Sequence, residues 1–272
     1  MLKTRVITAV VLLVVLLSVL YSRSFVFFFI VAAAFFAAAA WESLRLFRIS
    51  SAPLFAAVWI AVFACVVFLG NINGALLLFG LCMAIWAIRL MPALALGLPQ
   101  LESVANRLLS VVYGITILGC FVAIVALFQQ SPLYLLSVMA IVWIADIGAY
   151  FAGKAFGRRK LAPSISPGKS WEGVVGGWGA VLLISAASTR YPAMQDTFAP
   201  RLLESWGWGG FAGVMTVMVA ASVVGDLFES LLKRRAGMKD SSNLLPGHGG
   251  VLDRIDALIP TLPLAVLVSA WF

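Results

Sequence analysis

The sequence predicts an all-α, polytopic integral membrane protein. Of its 272 residues, 63% are hydrophobic and only 11% are charged. Apolar runs recur along the chain at lengths near the roughly 20 residues that cross a bilayer's hydrocarbon core. They lack the alternating pattern of barrel strands, so helices, which pair every backbone group internally, are the structures that can cross.

Nine spans follow in order. The first, Val6–Leu20, has Lys3 and Arg5 before it, as a secretory signal would, but "LYSRSF" after it offers no small-x-small cleavage site, so it is a helix. Phe25–Trp41 holds "VAAAFFAAAA", a plain helical apolar run. Pro53–Leu69, Gly74–Leu90 and Ser110–Phe128 each bury one cysteine, Cys65, Cys82 and Cys120. No paired metal spacing links these three, which are small hydrophobes. Pro132–Tyr150, Gly173–Ala187, Trp206–Phe228 and Leu258–Phe272 complete the set, the first, second, seventh and ninth of the nine being short. With the N-terminus in the cytoplasm, sixteen Lys and Arg residues fall on the inner face, and only Arg23, Arg190 and Arg201 on the outer. That asymmetry is the one expected of cytoplasmic loops, and it puts the C-terminus outside. The net charge of +8 attracts anionic membrane lipids. It does not point to nucleic acid, because no exposed aromatic platforms interleave the basic residues. No repeat or linker divides the chain, so residues 1–272 form one transmembrane domain without a soluble module.

Two inner segments, 145–173 and 225–257, hold seven of the eleven acidic residues. In the first, "PGKS" at Pro167–Ser170 resembles the end of a phosphate-binding P-loop, but Pro163 stands where the opening glycine is needed and no strand precedes it. Lys169 can still meet phosphate as a flexible point charge, with Ser166 and Ser170 donating hydrogen bonds. The plainer alternative is a lysine that only sets topology. In the second segment, Asp226, Glu229, Ser230 and Lys233 recur at i, i+3, i+4 and i+7 and share one helix face. Asp253 and Asp256 flank Arg254 and, if they open the last helix, present two carboxylates on one side. Oxygen-only ligands suit a hard cation such as Mg2+, while the alternative is a structural ion-pair network. His248, the only histidine, lies between Gly247 and Gly249–Gly250. Those glycines let backbone N–H groups approach a phosphate, which favours a ligand-facing histidine over a loop cap.

The run Ser230–Asp256, through S-L-L-K-R, K-D-S-S and L-P-G-H-G-G-V-L-D-R-I-D, resembles the signature of the phosphatidate cytidylyltransferase (CDP-diacylglycerol synthase) family without departure. "WIADIGAYFAGKAFGRRKL" and "SPGKSWEG" are similar to the family's other inner-face segments. The resemblance implies Mg2+-dependent transfer of a cytidylyl group from CTP to phosphatidic acid, in a bacterial-type inner membrane with the site on the cytoplasmic face. It implies metal held by Asp226, Asp253 and Asp256, with Asp146 or Glu229 contributing and a second cation not excluded. Lys169, Lys233, Arg234, Lys239 and Arg254 would bind phosphates, and His248, Gly249 and Gly250 would shape the pocket. Glu172 has no assigned part beyond orienting Lys169 or closing the loop. The competing expectations are a CTP-dependent lipid kinase, which leaves CDP, and an ion-coupled transporter, which needs charges at mid-span. The D-x-x-D-G-x-x-A-R motif of the CDP-alcohol phosphotransferases is absent. Gly173 to Gly177 offers a G-x-x-x-G face, for a homodimer or for close packing inside one chain.

Overall fold

The structure, a computed structural model, describes residues 2–22 and 24–272. Arg23, one of the three expected outer-face cations, lies outside the described residues. Helices α1 (Leu2–Ser22), α2 (Phe25–Leu46) and α3 (Ala52–Leu69) come first. Next, α4 (Ile72–Ile85) passes through a π-type turn at Trp86–Leu90 into α5 (Met91–Leu96). Then come α6 (Val104–Gln130), α7 (Pro132–Phe156), the strands β1 (Lys160–Ala162) and β2 (Ser166–Ser170), α8 (Trp171–Ser188) and α9 (Phe198–Ala236). The short α10 (Leu252–Ile255) and α11 (Leu258–Ser269) close the chain. Among the described residues, seven spans are long and apolar enough to cross a membrane, counting α4 and α5 together as Ile72–Leu96, and two shorter apolar helices, Val6–Ser22 and Leu258–Ser269, accompany them.

Several helices run past the apolar windows that mark them. The second span continues from Trp41 to Leu46, the fifth starts at Val104 instead of Ser110, and the sixth continues from Tyr150 to Phe156. Backbone hydrogen bonding does not stop at the hydrocarbon boundary, whereas hydropathy does. The eighth is 39 residues long, kinked at Gly207, whose positive φ of 62° breaks the helical path. It therefore carries Asp226 through Lys233 on one continuous helix, and it ends at Gly237 in the left-handed C-cap conformation.

Two packing features set the site. Almost every residue of α11 is buried, and it stands against α4, α6, α7 and α9 as a central post. Its far end is tied by Ser269 to the Tyr134 hydroxyl at the start of α7, at 2.8 Å. The G-x-x-x-G face of α8 is consumed within the chain. A Cβ on Gly148 of α7 would lie 2.9 Å from Ala180 and 3.0 Å from Gly177, and one on Gly173 would lie 2.9 Å from the Ala149 carbonyl. Small residues here let α7 and α8 approach backbone to backbone. This face is accordingly not an exposed dimerisation surface.

Candidate active site

Between α7 and α8 the chain forms a hairpin where a loop was expected. β1 and β2 pair antiparallel, Lys160 with Ser170 and Ala162 with Ser166. The pair is anchored to the helices at both ends. Glu172 accepts from the Arg158 and Arg159 backbone N–H groups at 3.1–3.2 Å, which assigns it the closing of the hairpin. Arg234 of α9 donates to the Ile165 carbonyl at the tip. Ser170 is committed to the fold, since its hydroxyl accepts from the Gly173 N–H and caps α8. Lys169 is thereby held over α9, 2.5 Å from Asp226.

Asp226 and Asp146 each lie ten residues before the C-terminal end of their helix, α9 and α7. At 1.5 Å per residue that is about 15 Å below the helix ends, so the carboxylates are recessed between helices. Asp146 is within electrostatic reach of Asp226 and Lys169. Asp256 comes up to the same place because Gly225 has no side chain. A Cβ there would lie 2.9 Å from Pro260 and closer still to the Asp256 carbonyl. Asp256 accepts from the Ala257 N–H at 2.8 Å. Burial pushes its carboxyl above the usual range, and the charge of Asp226 pushes it further. Asp226, in turn, also accepts from Ser230.

A second set of carboxylates is saturated with donors. Lys233, only 12% exposed, bridges Glu229 at 2.6 Å and Asp253 at 2.5 Å. The other Asp253 oxygen accepts from the Ser241 N–H, the Ser241 hydroxyl and the Gly250 N–H, each at 2.8 Å. Burial pushes the Asp253 carboxyl up, but Lys233 and these N–H groups outweigh it and hold it below the ordinary carboxylate value. Both oxygens of Asp253, expected among the metal ligands, are thus engaged by donors of the chain itself. Nor do Asp253 and Asp256 open the last helix: Asp253 is in α10 and Asp256 follows it, ahead of α11.

The glycine-rich loop is built around a residue that sequence reasoning missed. Glu42, at the inner end of α2, is fully buried and accepts from the hydroxyls of Ser241 and Ser242 and from the N–H groups of Val251 and Leu252. The available signal was a lone glutamate closing an alanine-rich span. A Cβ on Gly250 would strike both Ser241 and Glu42, and one on Gly249, at φ 85°, would lie 2.8 Å from Asp253. Both glycines are thus required by packing against the loop's own carboxylates. Arg254 donates to the His248 carbonyl and closes the loop, while His248 keeps a buried Nδ1 without a partner among the described residues. Arg234, Lys239 and Arg254 are exposed, and Ser166 is half-buried on the hairpin.

Among the described residues, no three His, Cys, Asp or Glu side chains are already spaced to enclose a metal ion. The donor set around Asp226 nevertheless has the chemistry of a hard-cation site. Asp146, Asp226 and Asp256 supply only oxygens, Asp226 and Asp256 repel one another, and Glu229 holds a buried oxygen without a partner. Lys169 is the cation that meets Asp226 here.

The family model described as the Cytidylyltransferase family matches residues 3–272. The chain is similar to the phosphatidate cytidylyltransferase of Pseudomonas aeruginosa, 41% identical over 276 residues that cover 97% of this chain and 95% of that protein. The Haemophilus influenzae phosphatidate cytidylyltransferase is 51% identical over 129 residues, 47% of this chain and 43% of its own. That of Thermotoga maritima is 35% identical over 167 residues, 61% of this chain and 59% of its own.

Proposed function

The chain belongs to the cytidylyltransferase family, and from that membership we propose that its recessed polar site makes CDP-diacylglycerol and pyrophosphate from CTP and phosphatidic acid. The observation that carries the reading is the convergence of Lys169 from β2, Asp226 from α9, Asp146 from α7 and Asp256 from the α10–α11 link of a multi-pass membrane protein. A phosphatidate oxygen attacks the α-phosphorus of CTP, the bond between that phosphorus and the bridging oxygen breaks, and pyrophosphate leaves. The attacking phosphate is already anionic, so no general base is needed. The difficulty is to bring two polyanions together, and cations do that.

Asp226 and Asp256 would hold Mg2+, with Asp146 and the free Glu229 oxygen at its margin. Bound there, the ion neutralises phosphate oxygens and stabilises the charge that leaves with pyrophosphate. Lys169, near the end of β2 beside α8, would exchange its partner Asp226 for a phosphate. Lys233 is a fixed cation, positioned by Glu229 and Asp253, and the exposed Arg234, Lys239 and Arg254 extend positive charge towards the triphosphate. Asp253 acts as a positioning residue for Lys233. The lipid's tails stay in the bilayer while the nucleotide arrives from water, on the cytoplasmic face of a bacterial inner membrane, the side the Lys and Arg asymmetry favours.

The test uses purified protein in detergent–lipid micelles with α-labelled CTP, phosphatidic acid and Mg2+. Label in a lipid-extractable product with one pyrophosphate for each is the expected result. Label left in CDP would instead establish the lipid-kinase reading.

A further inference from the structure

We propose that the protein carries a second lipid site, distinct from the catalytic one, that holds the phosphodiester headgroup of an anionic glycerophospholipid. It is a cavity of about 840 Å³ between the α2–α3 turn and the start of α6, with Arg48 and Arg107 in its lining. Among the described residues neither arginine meets a carboxylate within ion-pair distance, although Glu102 shares the cavity. Two cations and one anion leave the pocket net positive, which complements a lipid of net negative charge. Glu102 suits a headgroup that also carries hydroxyl donors, and Ser50 and Ser110 line the same space.

The remaining wall is apolar and lies along the helices. Phe55, Trp59 and Val111 line it, Phe55 and Val111 being about half exposed. Trp59 is seated deliberately, because a Cβ on Gly114 would lie 2.6 Å from its ring. An acyl chain can follow these side chains while the phosphate stays at the polar end. The rims are rigid. Asn106 is fully buried and donates to the Phe47 carbonyl at 2.9 Å and the Leu101 carbonyl at 2.6 Å, tying the two loops together.

Arg48 itself carries an unexplained cost. It is the one non-glycine residue with positive φ, 53°, among the described residues, and it stands just past the end of α2, where glycine or asparagine is the usual occupant. Among the described residues its side chain makes one hydrogen bond, a long one of 3.5 Å to the Ala236 carbonyl, at the end of α9. A purely structural residue at this position would be better as asparagine, whereas an anion-binding one must be cationic. This inference does not depend on the reaction assigned to the other site.

The experiment compares the full-length protein with Arg48→Asn/Arg107→Gln. Both are reconstituted in phosphatidylcholine doped with phosphatidylglycerol, extracted gently, and examined for retained lipid by native mass spectrometry. The wild type should retain phosphatidylglycerol in preference to phosphatidylcholine. The variant should retain it about tenfold less, since each lost cation weakens headgroup attraction. Its melting temperature should be unchanged or higher, because asparagine suits the left-handed position, and its transfer rate at saturating phosphatidate should stay within about twofold. Equal retention by the variant, equal retention of neutral lipids, displacement of the lipid by inorganic phosphate alone, or a raised KM for phosphatidate with phosphatidylglycerol retention intact would each overturn the proposal.

Discussion

Two groups of carboxylates lie at the same polar end of this protein and have opposite surroundings. Glu42 and Asp253 are saturated: between them they accept from two serine side chains, four different backbone N–H groups and Lys233. Asp146, Asp226 and Asp256 face one another with Lys169 as the ion-pair partner of Asp226. A buried charge costs several kcal/mol unless it is paired and hydrogen-bonded, so the first group can hold a loop in place unaided. The second is short of positive charge, a deficit that the proposed cation would fill. Carboxylates at one end of the fold thus divide into those already satisfied by donors and those left open.

The sharpest way to break this division is to neutralise each group separately. Asp226→Asn or Asp256→Asn should lower the cytidylyl-transfer rate by about 10³-fold or more, while thermal melts show the protein as stable as before or more so, because a repulsion has been removed. Lys169→Met should follow with a fall of about 10²-fold in kcat/KM, as one charge-assisted contact to phosphate is lost. Glu42→Gln should act mainly on stability. An amide cannot accept from every donor that now meets the carboxylate, which costs about 2–4 kcal/mol, read as a lower melting temperature and as proteolysis between α9 and α10. Its Mg2+ dependence should be that of the wild type.

The smallest effect concerns acid. The folded Asp253 carboxyl is held below its unfolded value, so it contributes stability that is present above the ordinary carboxylate pKa of about 4 and is lost as pH falls through the lower folded value. Asp253→Asn should therefore be less stable at neutral pH and should show a shallower loss of melting temperature below about pH 4. A profile as steep as that of the wild type would remove Asp253 from the saturated group.

Much of this was legible in the sequence, and the illegible part has a physical pattern. Hydropathy gives the apolar spans because water excludes them one by one, and the i, i+3, i+4, i+7 spacing of Asp226, Glu229, Ser230 and Lys233 is a local property of one helix. The signature and the two inner segments named the polar residues that the fold brings to one end. What these did not separate was their roles. Asp253 and Asp256 are three residues apart, yet one turns to Lys233 and Ser241 and the other to the Gly225 side of α9, a difference made by tertiary contacts. Glu42 is 199 residues from Ser241, its nearest partner in sequence, so no local pattern announces it. Gly249 and Gly250 looked like a phosphate cradle because glycine permits close approach. The close approach is to Asp253 and Glu42. The hairpin carrying Lys169 escaped notice because its strands are three and five residues long, Pro167 interrupts the second, and the pair is held by anchors on α8 and α9.

We propose that the open carboxylates, and not the saturated ones, hold the cation. Mn2+ binding to the purified protein, followed by electron paramagnetic resonance in the presence of CTP, tests it most directly. Asp226→Asn and Asp256→Asn should weaken binding by about tenfold or more while Glu42→Gln and Asp253→Asn leave it near the wild-type value. Undiminished binding in the first pair, or loss confined to the second, would contradict it.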